Sequence, residues 1–191
     1  MKIVNVDKHI IQELRKSGLS KEMESLENCS FLVIEERNGK IIGAGGVGGF
    51  FNIPSLQIDE KYQGQGIGKI LLGEIIHEAK KRGYSFISGS RNPENSRAIK
   101  LHDFYGFKPI FRAHYSPDFV RDVIILILRP RGKIVESFFR FFNTLVGTTL
   151  LSIVLKIAKS LFPFMLTYPT QKYPNASIKC MIKNFEKLPK N

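Results

Sequence analysis

The chain has 191 residues, 43% of them hydrophobic and 24% charged, and its 29 Lys and Arg against 17 Asp and Glu give a formal net charge of +12. That composition fills a core for one domain of roughly 100–150 residues plus an extra element, and it excludes a long disordered chain and a repeat array. Residues 131–191 hold 10 basic and 2 acidic side chains, net +8, which leaves +4 on residues 1–130, so an anionic partner is expected: nucleic acid, a membrane surface or a phosphorylated small molecule.

Lys2–Val6 alternates as a short strand, and Ile10, Ile11 and Leu14 recur at helical spacing over Lys8–Lys16 before Gly18 interrupts them. Phe31–Glu36 and Ile41–Val47 are β-rich runs joined by Arg37-Asn38-Gly39-Lys40. Asn-Gly between such runs predicts a tight hairpin, because both residues tolerate positive φ. Gly43, Gly45, Gly46, Gly48 and Gly49 crowd the end of this pair, where another backbone or a ligand can approach closely. Ile53–Ile58 follows as a strand. Between Gln65 and Arg82, Ile67, Ile70, Leu71, Ile75, Ile76 and Ala79 share one helical face, Lys80–Arg82 suit the negative end, and Gly83 stops the helix.

Tyr84–Ser90 reads as a strand, Asn95–Tyr105 as a helix closed by Gly106, and Lys108–His114 with Val120–Leu128 as a final strand pair before Pro130. The order β-α-β-β-β-α-β-α-β-β implies an α/β (α+β) fold with a mixed, largely antiparallel central sheet flanked by helices. Pro130-Arg131-Gly132 is the expected boundary between a domain over 1–130 and an extension over 131–191.

Two cysteines, Cys29 and Cys180, are too few and too far apart for a disulfide scaffold or a zinc site, so no metal is expected. The first eleven residues meet Asp7 and Lys8 too early for the ~7–15-residue apolar stretch of a signal peptide. A cytoplasmic chain is expected.

Chemistry concentrates in Leu56-Gln57-Ile58-Asp59-Glu60-Lys61-Tyr62-Gln63-Gly64-Gln65-Gly66-Ile67-Gly68-Lys69, where a strand passes through a glycine-rich turn into the amphipathic helix. Such a turn exposes several backbone N–H groups beside a positive helix end, ready for phosphate oxygens. Lys69 in the first turn is disfavoured by the helix dipole unless an anion sits there. The Gly-Lys-Ser/Thr ending of a nucleotide-hydrolase P-loop is missing, and a preceding hairpin with the wrong glycine spacing does not suit a dinucleotide-binding turn.

These residues make the chain resemble the GNAT superfamily of acetyl-CoA-dependent N-acetyltransferases. The family's Arg/Gln-x-x-Gly-x-Gly/Ala pyrophosphate motif is matched by Gln63-Gly64-Gln65-Gly66-Ile67-Gly68, at the strand-to-helix junction. Its second signature, Asn-x-x-Ala-Ile-x-Leu-Tyr followed by Gly-Phe, is matched by Asn95, Ala98, Ile99, Leu101, Gly106 and Phe107, with His102 where Tyr is usual. The resemblance spans roughly residues 2–128 and implies the GNAT fold, with acetyl-CoA as cosubstrate. It implies that Leu56, Gln57 and Ile58 pair with the pantetheine arm, that the amides of Gly64–Lys69 hold the pyrophosphate, and that Asn95 lies further along the same cofactor. The implied reaction is direct attack of an amine, small-molecule or protein, on the thioester, with an amide near Ile58 stabilising the oxyanion.

In many relatives the tyrosine seven residues after the motif asparagine protonates the departing thiolate, and His102 stands there. Imidazolium can donate, although at a reference pKa near ~6.5 it is mostly neutral at pH 7. Tyr105, three residues on and on an adjoining part of the same helical face, can supply a phenol instead, or pack beside Phe104 and Phe107. The larger loss of turnover is expected at His102. His77 and His114 read as structural. No general base is assigned: Ser90 stands where certain protein-acetylating relatives carry Glu, Glu94 and Asp103 read as cap and solvated charge, and a deprotonated amine needs no dedicated base. The alternative reading is a non-catalytic acyl-CoA-binding or membrane-attached interaction protein.

In the extension, Phe141–Leu155 has 15 residues without a charge, short of the ~20 that span a bilayer. Over 133–148 polar residues form one stripe opposite Ile134, Val135, Phe138, Phe139, Phe141, Phe142, Leu145 and Val146, and after Gly147 the stripe re-phases. A break near Gly147 is expected, giving two amphipathic helices ended by Pro163, which pack on the body, contact a homodimer partner or lie in a membrane interface through 133–162. A short strand or helix is expected from Ser177 to Phe185. Nucleic acid is not expected as a partner, since no finger, helix-turn-helix or aromatic ribonucleoprotein pattern occurs.

Overall fold

A computed structural model describes residues 1–17, 19, 26–49, 53–116, 119–141, 144–157 and 184–186. They fall in two compact units that divide between Tyr84 and Ser85.

The first unit is a four-stranded antiparallel sheet in the order β1-β2-β3-β4, with β1 at Lys2–Val4, β2 at Cys29–Arg37, β3 at Lys40–Gly48 and β4 at Ile53–Ile58. The hairpin between β2 and β3 turns through Asn38 and Gly39, whose φ values of 52° and 72° are what the Asn-Gly pair predicts. Helix α1 (Lys8–Lys16) starts where Asp7 accepts the Ile10 N–H at 2.9 Å, a cap that satisfies one of the orphan amides of the first turn. Its buried Ile10 and Leu14 pack with Leu26, Leu32, Ile34 and Ala44 on one face of the sheet.

Helix α2 (Ile67–Lys81) covers the opposite face, burying Leu71, Leu72, Ile75 and Ile76. A Cβ on Gly43 would stand 2.9 Å from the Leu71 methyl, and one on Gly46 would overlap the Phe31 carbonyl. Glycines in β3 thus admit α2 and the neighbouring strand, which is the close approach expected of that run. At its far end α2 stops as expected at Gly83, with a φ of 88° and an N–H donated to Lys80.

The second unit holds β5 (Phe86–Arg91), β6 (Lys108–Ser116), β7 (Phe119–Ile127) and β8 (Asn184–Glu186), antiparallel in the order β5-β7-β6-β8. Helix α3 (Ser96–Phe104) connects β5 to β6 and is closed by Gly106, with a φ of 80°, while the Phe107 N–H bonds back to His102. The anticipated sheet is therefore realised as two four-stranded sheets, each antiparallel throughout, flanked by helices. Beyond β7, α4 (Gly132–Phe141) and α5 (Leu145–Ile157) follow.

The break between those two helices comes earlier than Gly147. Thr144 accepts the Gly147 N–H on its hydroxyl at 3.1 Å, the geometry of a helix N-cap, so Gly147 lies inside the first turn of α5. Pro163 and residues 177–183 lie outside the described residues, and the short strand at Asn184–Glu186 overlaps the end of the segment expected to be ordered. Among the described residues no helix is long and apolar enough to cross a membrane, and no cluster of metal-ligating side chains occurs.

Candidate active site

In the first unit, β4 is an edge strand. The Asp59 N–H is donated inward to the Ile42 carbonyl of β3 at 2.8 Å, and alternation along an antiparallel strand then turns the amides of Ile58 and Leu56 to the free edge. Leu56 and Ile58 aim their side chains at α2, where they meet the Gly68 position. Gln57 points to the other face, and its Nε2 is buried without a hydrogen-bond partner, an orphaned donor of a kind that calls for an explanation.

The chain then turns over Glu60–Tyr62, a 3-10 turn started by Asp59, which accepts the Lys61 N–H at 3.0 Å and pairs with the Lys40 ammonium at 3.2 Å. The Lys61 N–H is the larger cause, and Lys40 a lesser one, that holds the Asp59 carboxyl below the usual carboxylate range against the opposing effect of its burial. Gln63 reaches back to donate to the Ile58 carbonyl at 3.2 Å, and Arg37, stacked at 5.7 Å over Tyr62, donates to the Gln65 side chain at 3.2 Å. Strand end and glycine turn are thereby fastened at both sides.

Gly64 and Gly66 have φ values of 80° and 78°, and a Cβ on either would meet nothing within 4 Å. Open space lies where side chains are absent. Gly66 caps α2 with no side chain to accept its amides; Lys69 and Ile70 donate to the Gly66 carbonyl, whereas the N–H groups of Ile67 and Gly68 precede any intrahelical acceptor. Two open amides at a positive helix end, beside a left-handed turn that bares its backbone, fit a pyrophosphate. Arg37 and Asp59 were not flagged by the sequence. Arg37 acts from the β2–β3 hairpin and carries no spacing signal, and Asp59 draws on that hairpin only for its pairing with Lys40.

In the second unit, Asn95 is the N-cap of α3, its side-chain oxygen accepting the Ala98 N–H at 3.0 Å. That role needs no cofactor and leaves the side-chain NH2 available. Seven residues on, about 10 Å along the helix, His102 is half-buried, its ring edge-on to Phe107 at 5.1 Å and its Nδ1 enclosed without a hydrogen bond. Burial is the main cause that pushes its pKa below the ordinary value. The Ala98 carbonyl pulls the other way without reaching bonding geometry, Arg91 adds to the lowering, and Asp103 opposes it. Burial therefore disfavours the imidazolium form of His102.

Tyr105 forms the C-cap of α3, its ring edge-on to Phe104 at 5.0 Å. The buried Arg91 ties β5 to this end of the helix through Asp103 at 2.8 Å and the Ile99 carbonyl. Sequence spacing gave no hint of that link.

The family model described as Acetyltransferase (GNAT) family matches residues 4–107. The Escherichia coli K12 ribosomal protein bS18-alanine N-acetyltransferase is 35% identical over 77 residues, which are 39% of this chain and 52% of that protein; the chain thus spans about half the length of the curated relatives it matches. Its fold is similar to the crystal structure of the Escherichia coli ribosomal-protein-S18-alanine N-acetyltransferase, with a TM-score of 0.53 and 20% identity over 67% of this chain and 94% of that one. A Salmonella typhimurium structure solved with its cofactor acetyl-CoA gives a TM-score of 0.52 and 18% identity over 68% and 94%. With the glycine turn, the second signature and the two-sheet architecture all matched in order, the chain belongs to the acetyltransferase (GNAT) family.

Proposed function

We propose that the chain is an N-acetyltransferase that moves an acetyl group from acetyl-CoA to an amine by direct attack on the thioester. The carrying observation is the continuous run from the free edge of β4 into the left-handed glycine turn and the open amides of α2. Acetyl-CoA, when bound, supplies the activated acetyl group. The outward amides of Leu56 and Ile58 suit strand-like pairing with an extended pantetheine arm, and the Ile58 N–H is the donor for the oxyanion. Gln63, Gly64, Gln65, Gly66, Ile67, Gly68 and Lys69 form the phosphate turn, and Asn95 contributes its free side-chain NH2.

Tyr105 is the proposed proton donor to the thiolate. This reading prefers Tyr105 to His102 as the acid, because burial disfavours the imidazolium form that would have to give the proton, whereas phenols keep theirs through neutral pH. His102 shapes the site as a neutral ring. Residues 1–130 form the catalytic part and 131–191 an appended extension that serves contact. The acceptor class proposed is the N-terminal amine of a protein, on the strength of the bS18-alanine relative, and the reduced, buried Cys29 suits a cytoplasmic setting.

The test is thiol release from acetyl-CoA across a panel of small amines, lysine and peptides beginning with alanine. Release that depends on the alanine peptides is expected. Cofactor binding without release on any amine would instead identify a non-catalytic acyl-CoA-binding protein.

A further inference from the structure

The extension leaves apolar surface uncovered on two successive helices. On α4, Gly132, Val135 and Phe139 turn inward, and a Cβ on Gly132 would collide with the Ser85 carbonyl, so one side of this helix is fully engaged. The other side carries Ile134, Phe138 and Phe141 at positions i, i+4 and i+7, exposed by 74%, 55% and 45%. On α5, Leu145, Val146 and Leu150 are exposed in the same way, Leu145 by 85%, and Ile153 continues that face. Scattered exposed apolar residues are ordinary, but a row of them on each of two consecutive helices marks an interaction surface.

Charge identifies the partner. Arg131 and Lys133 are exposed at the entry to α4, whose first turn holds no acidic residue. Cations crowded at the positive end of a helix are unfavourable alone and are relieved by an anionic surface. Glu136 offers little compensation, being turned inward and paired with Arg140 at 2.7 Å. A second copy is a poor occupant, because the same patch on both partners brings no new acidic residue to Arg131 and Lys133 beyond the Arg140-paired Glu136.

We propose that α4 and α5 dock this protein on an anionic lipid surface, with Ile134, Phe138, Phe141 and the α5 stripe entering the acyl boundary and Arg131 and Lys133 meeting the headgroups. Neither helix is long enough to cross, so both lie in the interface plane. The proposal is independent of the acetyl-transfer reading.

The chain contains no tryptophan, so Phe138→Trp in the full-length protein provides a single reporter. Its emission is expected to shift to the blue with vesicles of mixed phosphatidylcholine and phosphatidylglycerol. Phosphatidylcholine alone or soluble polyphosphate should produce no shift, and added salt should reverse it. In flotation, the wild-type chain should rise with the mixed vesicles, and Ile134→Glu/Phe138→Glu and Arg131→Glu/Lys133→Glu should stay behind while keeping the wild-type melting temperature. An unshifted reporter and a wild-type chain left at the bottom of the gradient would overturn the proposal. So would a concentration-dependent dimer that Ile134→Glu/Phe138→Glu dissociates.

Discussion

At Gly66 the backbone stands at a φ of 78° with open space where a side chain would go. Gly66→Ala should therefore fold, at a strain of about 1–2 kcal/mol, yet set a methyl group where a phosphate must approach. At least tenfold weaker binding of acetyl-CoA is expected by calorimetry, and unchanged affinity would undo the phosphate-turn reading. Tyr105→Phe should lower kcat by about 100-fold, within the usual range for general acid catalysis, and His102→Phe by less than tenfold; the opposite order would return the acid role to His102. The motif glycines were legible as a glycine-rich turn ahead of an amphipathic helix, and His102 through the resemblance to the family's second signature. Arg37 and the orphaned Gln57 amide were not, since each acquires its meaning from a strand or hairpin elsewhere in the chain.

The elements that position those residues rest on local chemistry that can be tested one contact at a time. Asp103 is half exposed and Arg91 almost wholly buried, so Asp103→Asn leaves a buried guanidinium without its anion while Arg91→Met removes the charge altogether. Asp103→Asn should cost about 1–3 kcal/mol in denaturant unfolding and Arg91→Met less, the ordering expected when an unpaired buried charge dominates. Equal losses would mean that the pair matters only through packing. Thr144→Val should cost about 1 kcal/mol through the lost cap, read as reduced helicity of α5 by circular dichroism.

Strands and helices up to β7 were legible because alternation, periodicity, Asn-Gly and terminal glycines agree with one another. The break in the extension was legible too, but its place was not, because a change in the polar stripe locates a re-phasing rather than a cap, and the Thr144 hydroxyl starts α5 three residues before Gly147. That the strands form two separate sheets also lay beyond reach, since pairing partners are set by long-range register.

Across the whole molecule, the pKa of His102 links stability to pH. A histidine held below its ordinary value in the folded state takes up its proton more readily when unfolded, so stability falls as pH drops below about 6.5, the unfolded value. Wild type should thus lose melting temperature between pH 7 and pH 5 faster than His102→Phe; parallel curves would contradict the neutral assignment. The overall charge now divides into a body whose open amides suit a phosphate and an extension whose cations suit an anionic surface. If β4 and the glycine turn hold acetyl-CoA, calorimetric titration of the full chain with acetyl-CoA and with acetyl-pantetheine, which lacks the pyrophosphate, shows it directly. Acetyl-CoA should bind at least 100-fold more tightly, an advantage of about 2.7 kcal/mol that Gly66→Ala largely removes. Equal affinities, or no binding of acetyl-CoA at all, would contradict it.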